Sequence, residues 1–203
     1  MPQLLHFAEI PFVRFGEVVE AVQQFLQGLD FMHENRIAHR DACYMNLMMD
    51  PSKVVPRGFH QMKPWSHDGV NTQFESFERW SVSPVQYYFI DFGLSGYYPK
   101  GVEYETATGL CGQDRTVPEL LVDKPYDAFK LDIYQLGNVI VEIIKKYTGL
   151  ELLLPLARAM TSTNPNDRPS PTQALKMLEP FGFEILQGAV SRKDIMTWEE
   201  ESA

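Results

Sequence analysis

The chain has 203 residues, 44% of them hydrophobic, and a formal net charge of −9. That length supports one domain with a sizeable core. The acidic balance excludes a nucleic-acid partner, which needs a basic patch to displace counterions. Two cysteines, Cys43 and Cys111, make no disulfide framework and point to an intracellular, cytoplasmic setting. No stretch reaches the ~18 apolar residues of a membrane span, so no membrane partner is expected. Pro2, Glu9, Pro11, Arg14, Glu17 and Glu20 break up the N-terminus, which therefore does not read as a signal peptide.

Met1 to Arg14 carries prolines and no clear period, and reads as an extended entry segment. From Phe15 to Glu34, Val18, Val22, Phe25, Leu29 and Met32 recur at three- and four-residue spacings, the stripe of an amphipathic helix. This helix leads into Ile37-Ala38-His39-Arg40-Asp41, with Asn46 following in the same loop. Residues 51–84 hold Pro51, Pro56, Pro64 and Pro84 among Phe59, Trp65, Phe74, Phe77 and Trp80. They read as an irregular excursion whose aromatics pack in part on the domain. His60 and His67 lack the three or four convergent ligands of a metal site and read as solvated loop histidines.

Tyr87 to Ile90 reads as a short buried strand delivering Asp91-Phe92-Gly93. Between Phe129 and Tyr147 apolar residues cover more than half of a helical circumference, which predicts a buried helix. A third helix is expected over Leu150–Met160, then a turn over 164–169. Ser170, Pro171 and Gln173 have the order of an N-cap, a first-turn proline and a capping-box partner. Residues 184–203 read as a tail with a frayed acidic end, Glu199-Glu200-Glu201.

The chemistry concentrates in two strings. Asp41 is the candidate catalytic base, because a carboxylate can orient a reacting hydroxyl and accept its proton. Asn46 lies where the loop returns toward the same metal, and Asp91 is the candidate principal Mg²⁺ ligand, since a hard cation takes carboxylate oxygen. Arg40 would hold the loop or pair with a charge on the segment after Asp91. Three further strings stand in order behind them: Val117-Pro118-Glu119, Asp132-Ile133-Tyr134-Gln135-Leu136-Gly137 and Asp167-Arg168-Pro169.

Together these strings resemble the His-Arg-Asp…Asn, Asp-Phe-Gly, Ala-Pro-Glu and Asp-x-Trp-Ser-x-Gly motifs of protein kinases. From about Met1 to Phe183 the chain looks like the C-terminal lobe of a eukaryotic-type protein kinase, starting near the hinge. Phe31-Met32-His33-Glu34, Leu47-Met48-Met49-Asp50 and Tyr87 to Gly93 resemble a kinase-like group abundant in mushroom-forming fungi. That group also carries a Pro/aromatic excursion between the two loops.

The resemblance implies a mainly α fold, the α+β kinase C-lobe. A helical bundle would surround a buried central helix, short β-strands would carry the catalytic and metal loops, and the N-terminal β lobe would be absent. The domain would run over 1–183 with an insertion at 51–84, followed by the tail at 184–203. ATP and Mg²⁺ would be the cofactors, with Asn46 and Asp91 at the nucleotide and metal and Met48 flooring the adenine pocket. His39 and Phe92 would stack, with Gly93 completing the metal loop. Glu119 and Arg168 would form a buried ion pair, and Asp132 would cap the catalytic-loop backbone.

Four departures qualify that picture. Cys43 stands where the family has a Lys touching the transferred phosphate; it reads as a small residue, with a redox-sensitive thiol as the alternative. The run from Asn46 to Asp91 is long. The span from Asp132 to Arg168 is too short for the family's additional docking helix. No Gly-x-Gly precedes His39, and the first Lys is Lys53, so the phosphate-gripping lid is missing and Leu47, Met48 and Phe92 would lie exposed.

Three functions follow. The first is a protein kinase domain transferring phosphate from ATP to protein Ser/Thr, truncated before the hinge and so doubtful as an isolated enzyme. The second is a pseudokinase-like binding module, and the third a small-molecule kinase. Thr106, Thr108 and Thr116 are candidate phosphorylation sites. No motif names the protein substrate or partner.

Overall fold

Two long helices organise the chain, and the structure, a computed structural model, describes residues 3–71, 73–99, 106–109, 111–121 and 124–193. Helix α1 spans Phe15–Glu34, and every member of its predicted stripe is buried. Helix α2 spans Ala128–Lys146, capped by the Asp127 carboxylate, which accepts from the backbone N–H of Phe129 and Lys130. Leu131, Ile133, Leu136, Val139, Ile140, Ile143 and Ile144 are buried on it, as expected of a central helix.

A 3₁₀ turn at Glu151–Leu153 leads into α3, Leu154–Met160, which packs on α2. The predicted capping box starts α4, Pro171–Lys176, which packs on α1. There Ser170 Oγ accepts from the Gln173 N–H, and Gln173 Oε1 accepts from the Ser170 N–H.

The strands are short. Strands β1 (Leu5–His6), β3 (Leu47–Met49) and β4 (Tyr87–Phe89) form an antiparallel sheet in the order β1-β3-β4, with Leu5 opposite Met49 and Met49 opposite Tyr87. Strands β2 (Ile37–Ala38) and β5 (Gly96–Tyr97) pair beside it. The strand before Asp91 is half-buried rather than buried. Successive side chains point to opposite faces, so Tyr87 faces the core while Tyr88 is 41% exposed.

The 51–84 insertion is irregular along most of its length, but its end is core. The fully buried Arg79 donates to the carbonyls of Phe7 and Ile10 and lies 3.9 Å over the Phe12 ring. Buried Glu17 of α1 accepts from the N–H groups of Val13, Arg14 and Trp80 at 2.8, 3.3 and 2.9 Å. One carboxylate thus ties the entry segment, the helix start and the insertion together. His67 is a structured residue rather than a solvated one. It bonds the Gly58 carbonyl through Nδ1, accepts the Glu75 N–H on Nε2 and stacks on Phe74.

The expected tail is packed up to residue 193. Helix α5 (Phe183–Leu186) precedes β7 (Ser191–Arg192), which pairs antiparallel with β6 (Tyr147–Thr148) at the end of α2. Val190 is buried between them, and the Gly188 carbonyl accepts the Phe15 N–H at 2.8 Å. Glu199 to Glu201 lie outside the described residues. Among the described residues no helix is long and apolar enough to cross a membrane.

Candidate active site

The catalytic loop hangs from α2. The Asp132 carboxylate, fully buried, accepts from the His39 N–H at 2.8 Å, the Arg40 N–H at 2.7 Å and the His33 ring at 2.9 Å. These bonds hold Arg40 in the left-handed region at φ 66, a conformation a non-glycine residue keeps only when its surroundings over-determine it. Asp132 thus accepts from two successive backbone N–H groups of the loop.

Asp41 is 4% exposed and Asn46 3%. Asn46 Nδ2 donates to both the backbone carbonyl and the Oδ2 of Asp41 at 2.9 Å, so the two predicted residues meet. The other carboxylate oxygen, Oδ1, accepts the Gln113 N–H at 2.8 Å, and Gln113 Nε2 makes a long 3.5 Å contact to Asn46 Oδ1. Gly112, at φ 112, sets this crossing: a Cβ there would lie 3.2 Å from the Arg40 carbonyl and 3.3 Å from Asp41 Oδ1. Gln113 carried no sequence signal, because its role depends on where the segment after Asp91 folds back.

Asp91 arrives on the end of β4, with the Ile90 N–H bonded to the Asn46 carbonyl at 3.0 Å. It is exposed, at φ 60, and accepts the Gly93 N–H at 3.4 Å. Met48 is half-buried on β3 in register with Tyr88, Leu47 is fully buried against expectation, and Phe92 is 53% exposed. The inward–outward alternation of β3 explains why Leu47 and Met48 differ.

His39 and Phe92 rings stand 4.9 Å apart. Burial lowers the His39 pKa below its ordinary 6.5, with Asp132, Asp41 and Asp91 pulling the other way. A neutral ring fits its bonds: Nε2 reaches the Ile90 carbonyl at 3.1 Å and Nδ1 accepts the Asp41 N–H at 3.3 Å. His6 is lowered in the same direction, again mainly by burial. On unfolding both rings take up protons near pH 6.5. Their contribution to stability is full above that pH and falls as pH drops through it toward the depressed folded values. The urea midpoint is expected to decline between pH 7 and pH 5.5, and to decline less in His39→Gln; a midpoint that rises on acidification would contradict this.

Cys43 is 5% exposed, and its thiol is pushed up to about 11, first by burial and then by the Asp41 charge. It is a protonated small residue at neutral pH, not a reactive thiolate. Arg40 reaches the segment after Asp91, here called the activation segment, through the Thr108 carbonyl at 2.9 Å, and bonds the Tyr126 hydroxyl at 3.3 Å. Thr106, Thr108 and Thr116 are all exposed. Thr116 Oγ1 donates to Asp114 Oδ1 and accepts from Asn138 Nδ2, both at 2.7 Å.

Glu119 and Arg168 form the expected pair as a fork, Nη1 to Oε1 at 2.5 Å and Nη2 to Oε2 at 2.7 Å. The guanidinium, fully buried, also donates to the carbonyls of Ser162 and Lys130 and lies over the Tyr134 ring.

Among curated proteins, the chain is 28% identical to the DNA damage response protein kinase DUN1 of Saccharomyces cerevisiae over 63% of its length and 22% of that protein's. It is 27% identical to a Wee1-like protein kinase of Oryza sativa over 89% of the chain and 31% of that protein. It is 31% identical to the serine/threonine-protein kinase atg1 of Aspergillus fumigatus over 61% of the chain and 12% of that protein. The chain thus spans less than a third of the length of each of these relatives. The protein kinase domain model matches residues 6–152, a stretch holding the catalytic loop, the metal loop, Glu119 and α2, and the chain belongs to the protein kinase domain family.

Proposed function

We propose that this chain is the catalytic lobe of a protein kinase that transfers the γ-phosphoryl group of ATP to a Ser or Thr hydroxyl of a protein. The observation that carries the reading is the direct bonding of Asn46 to both the carboxylate and the carbonyl of Asp41, with Asp91 delivered beside them on β4. Asp41 orients the acceptor hydroxyl and takes its proton; Asn46 fixes the carboxylate's rotamer. For the hydroxyl to reach Asp41 Oδ1, the Gln113 N–H must give way.

Two oxygen donors suit Mg²⁺: the exposed Asp91 carboxylate, whose bond from the Gly93 N–H is long at 3.4 Å, and Asn46 Oδ1, which has the 3.5 Å Gln113 contact. Mg²⁺ held there would supply positive charge to the phosphate oxygens. Met48 presents a half-buried thioether to the base. Residues 1–40 hold neither a phosphate-gripping Lys nor a Gly-rich loop.

A second reading, a non-catalytic binding module, is favoured by the burial of Asp41 beneath Gln113 and by Cys43 in place of the family's Lys. A thermal shift of the natural full-length polypeptide separates the two. Mg·ATP at a hundredfold excess over Kd should add about 2.7 kcal/mol, or roughly 5–10 °C in a domain of this size. Asp91→Asn should remove the Mg²⁺-dependent part. A melting temperature indifferent to Mg·ATP would leave the binding-module reading.

A further inference from the structure

Gln135 is fully buried in α2, one helical turn beyond Asp132. Its two amide atoms reach the catalytic loop on either side of Asp41. Oε1 accepts the Ala42 N–H at 2.9 Å, and Nε2 donates to the Arg40 carbonyl at 3.3 Å. A Cβ on Gly112 would lie 3.4 Å from the same Nε2, so helix, catalytic loop and activation segment converge on this one side chain. Gln135 stands where the Asp-x-Trp-Ser-x-Gly string has Ser. A Ser hydroxyl, two bonds shorter, cannot span both backbone groups.

We propose that Gln135 is a positioning residue for Asp41, an inference that rests on Asp41 being the catalytic base. Asp132 holds the backbone N–H groups of His39 and Arg40, which fixes the approach to Asp41. Gln135 holds the carbonyl before Asp41 and the N–H after it, which fixes the exit. With both peptide planes pinned, the Asp41 carboxylate is aimed at Asn46 and at the incoming hydroxyl rather than rotating with the loop. Leaving Ala42 N–H and Arg40 C=O buried without partners would favour local opening. Cys43, the next residue and 5% exposed, gives that opening a chemical probe.

The test compares Gln135→Met, which fills the space without polar atoms, with Gln135→Glu, which keeps the acceptor for Ala42 and loses the donor to Arg40. Amide exchange over residues 40–43 and the alkylation rate of Cys43 are read on the chain, with exposed Cys111 resolved by mass. In Gln135→Met both rates should rise about tenfold or more while exchange in α1 and α3 is unchanged, and Gln135→Glu should fall between. On the full-length polypeptide, kcat should fall in the same order with the KM for ATP unchanged. Exchange that rises uniformly across the domain, or a loop that opens with no change in kcat, would overturn the proposal. If Gln135→Met does not fold, Gln135→Glu alone decides, by the same local-against-uniform comparison. If wild type transfers no phosphate, the kinase reading fails, while the exchange and alkylation arms still decide whether Gln135 holds Asp41.

Discussion

Arg168→Ala is expected to destabilise the domain by about 3–5 kcal/mol. The guanidinium is fully buried and makes a two-point fork with Glu119, plus donations to the carbonyls of Ser162 and Lys130. Removing it strands the Glu119 carboxylate, 11% exposed, without a countercharge and leaves two carbonyls short of a donor. The loss comes mainly from the orphaned groups, because attraction within such a pair is largely offset by the cost of taking both ions out of water. A double variant, Arg168→Met with Glu119→Leu, should therefore recover much of what the single variant loses. Urea unfolding checks both, and a loss below about 1 kcal/mol in Arg168→Ala, the range of an exposed pair, would contradict the account.

Asp132→Ala should cost about 2–5 kcal/mol. The His39 and Arg40 N–H groups would each be left without an acceptor, at about 1–3 kcal/mol apiece, and the His33 ring would lose its partner. Arg40 would also lose the bonds that hold its left-handed backbone. Asp132→Asn keeps one acceptor oxygen but turns an N–H₂ toward donors, so it should be intermediate. Amide exchange at residues 39 and 40, with urea midpoints for both variants, measures the effect. Protection there that is unchanged in Asp132→Ala would remove α2 as the support of the catalytic loop.

The parts of this molecule that were legible in the sequence are those whose information is local. The spacing of Val18, Val22, Phe25, Leu29 and Met32 defines α1 because a helix repeats within a few residues. Ser170 and Gln173 form their capping box for the same reason. His39-Arg40-Asp41 with Asn46, and Asp91-Phe92-Gly93, are likewise short strings, and the structure brings Asn46 onto Asp41.

What was illegible depends on distant contacts. Arg79 looks like one charge in a polar insertion until its guanidinium is seen against the carbonyls of Phe7 and Ile10. Residues 184–193 look like a tail until β7 is paired with β6. Gln113 and Gln135 are ordinary amides in sequence, and only the convergence of α2, the catalytic loop and the activation segment gives them a role. His67 reads as solvated because it lacks convergent metal ligands, whereas its ring stacks on Phe74 and bridges two backbone groups.

Transfer of labelled γ-phosphate from Mg·ATP to protein, measured on the natural full-length polypeptide with and without Asp41→Asn, tests the central claim most directly. The exchange replaces a proton-accepting carboxylate with an isosteric amide beside the same Asn46, so fold and nucleotide binding should persist. Transfer should fall by about 10²–10⁴-fold, the span of a general base. Undiminished transfer by Asp41→Asn, or wild-type protein that binds Mg·ATP and labels no protein, would contradict the claim.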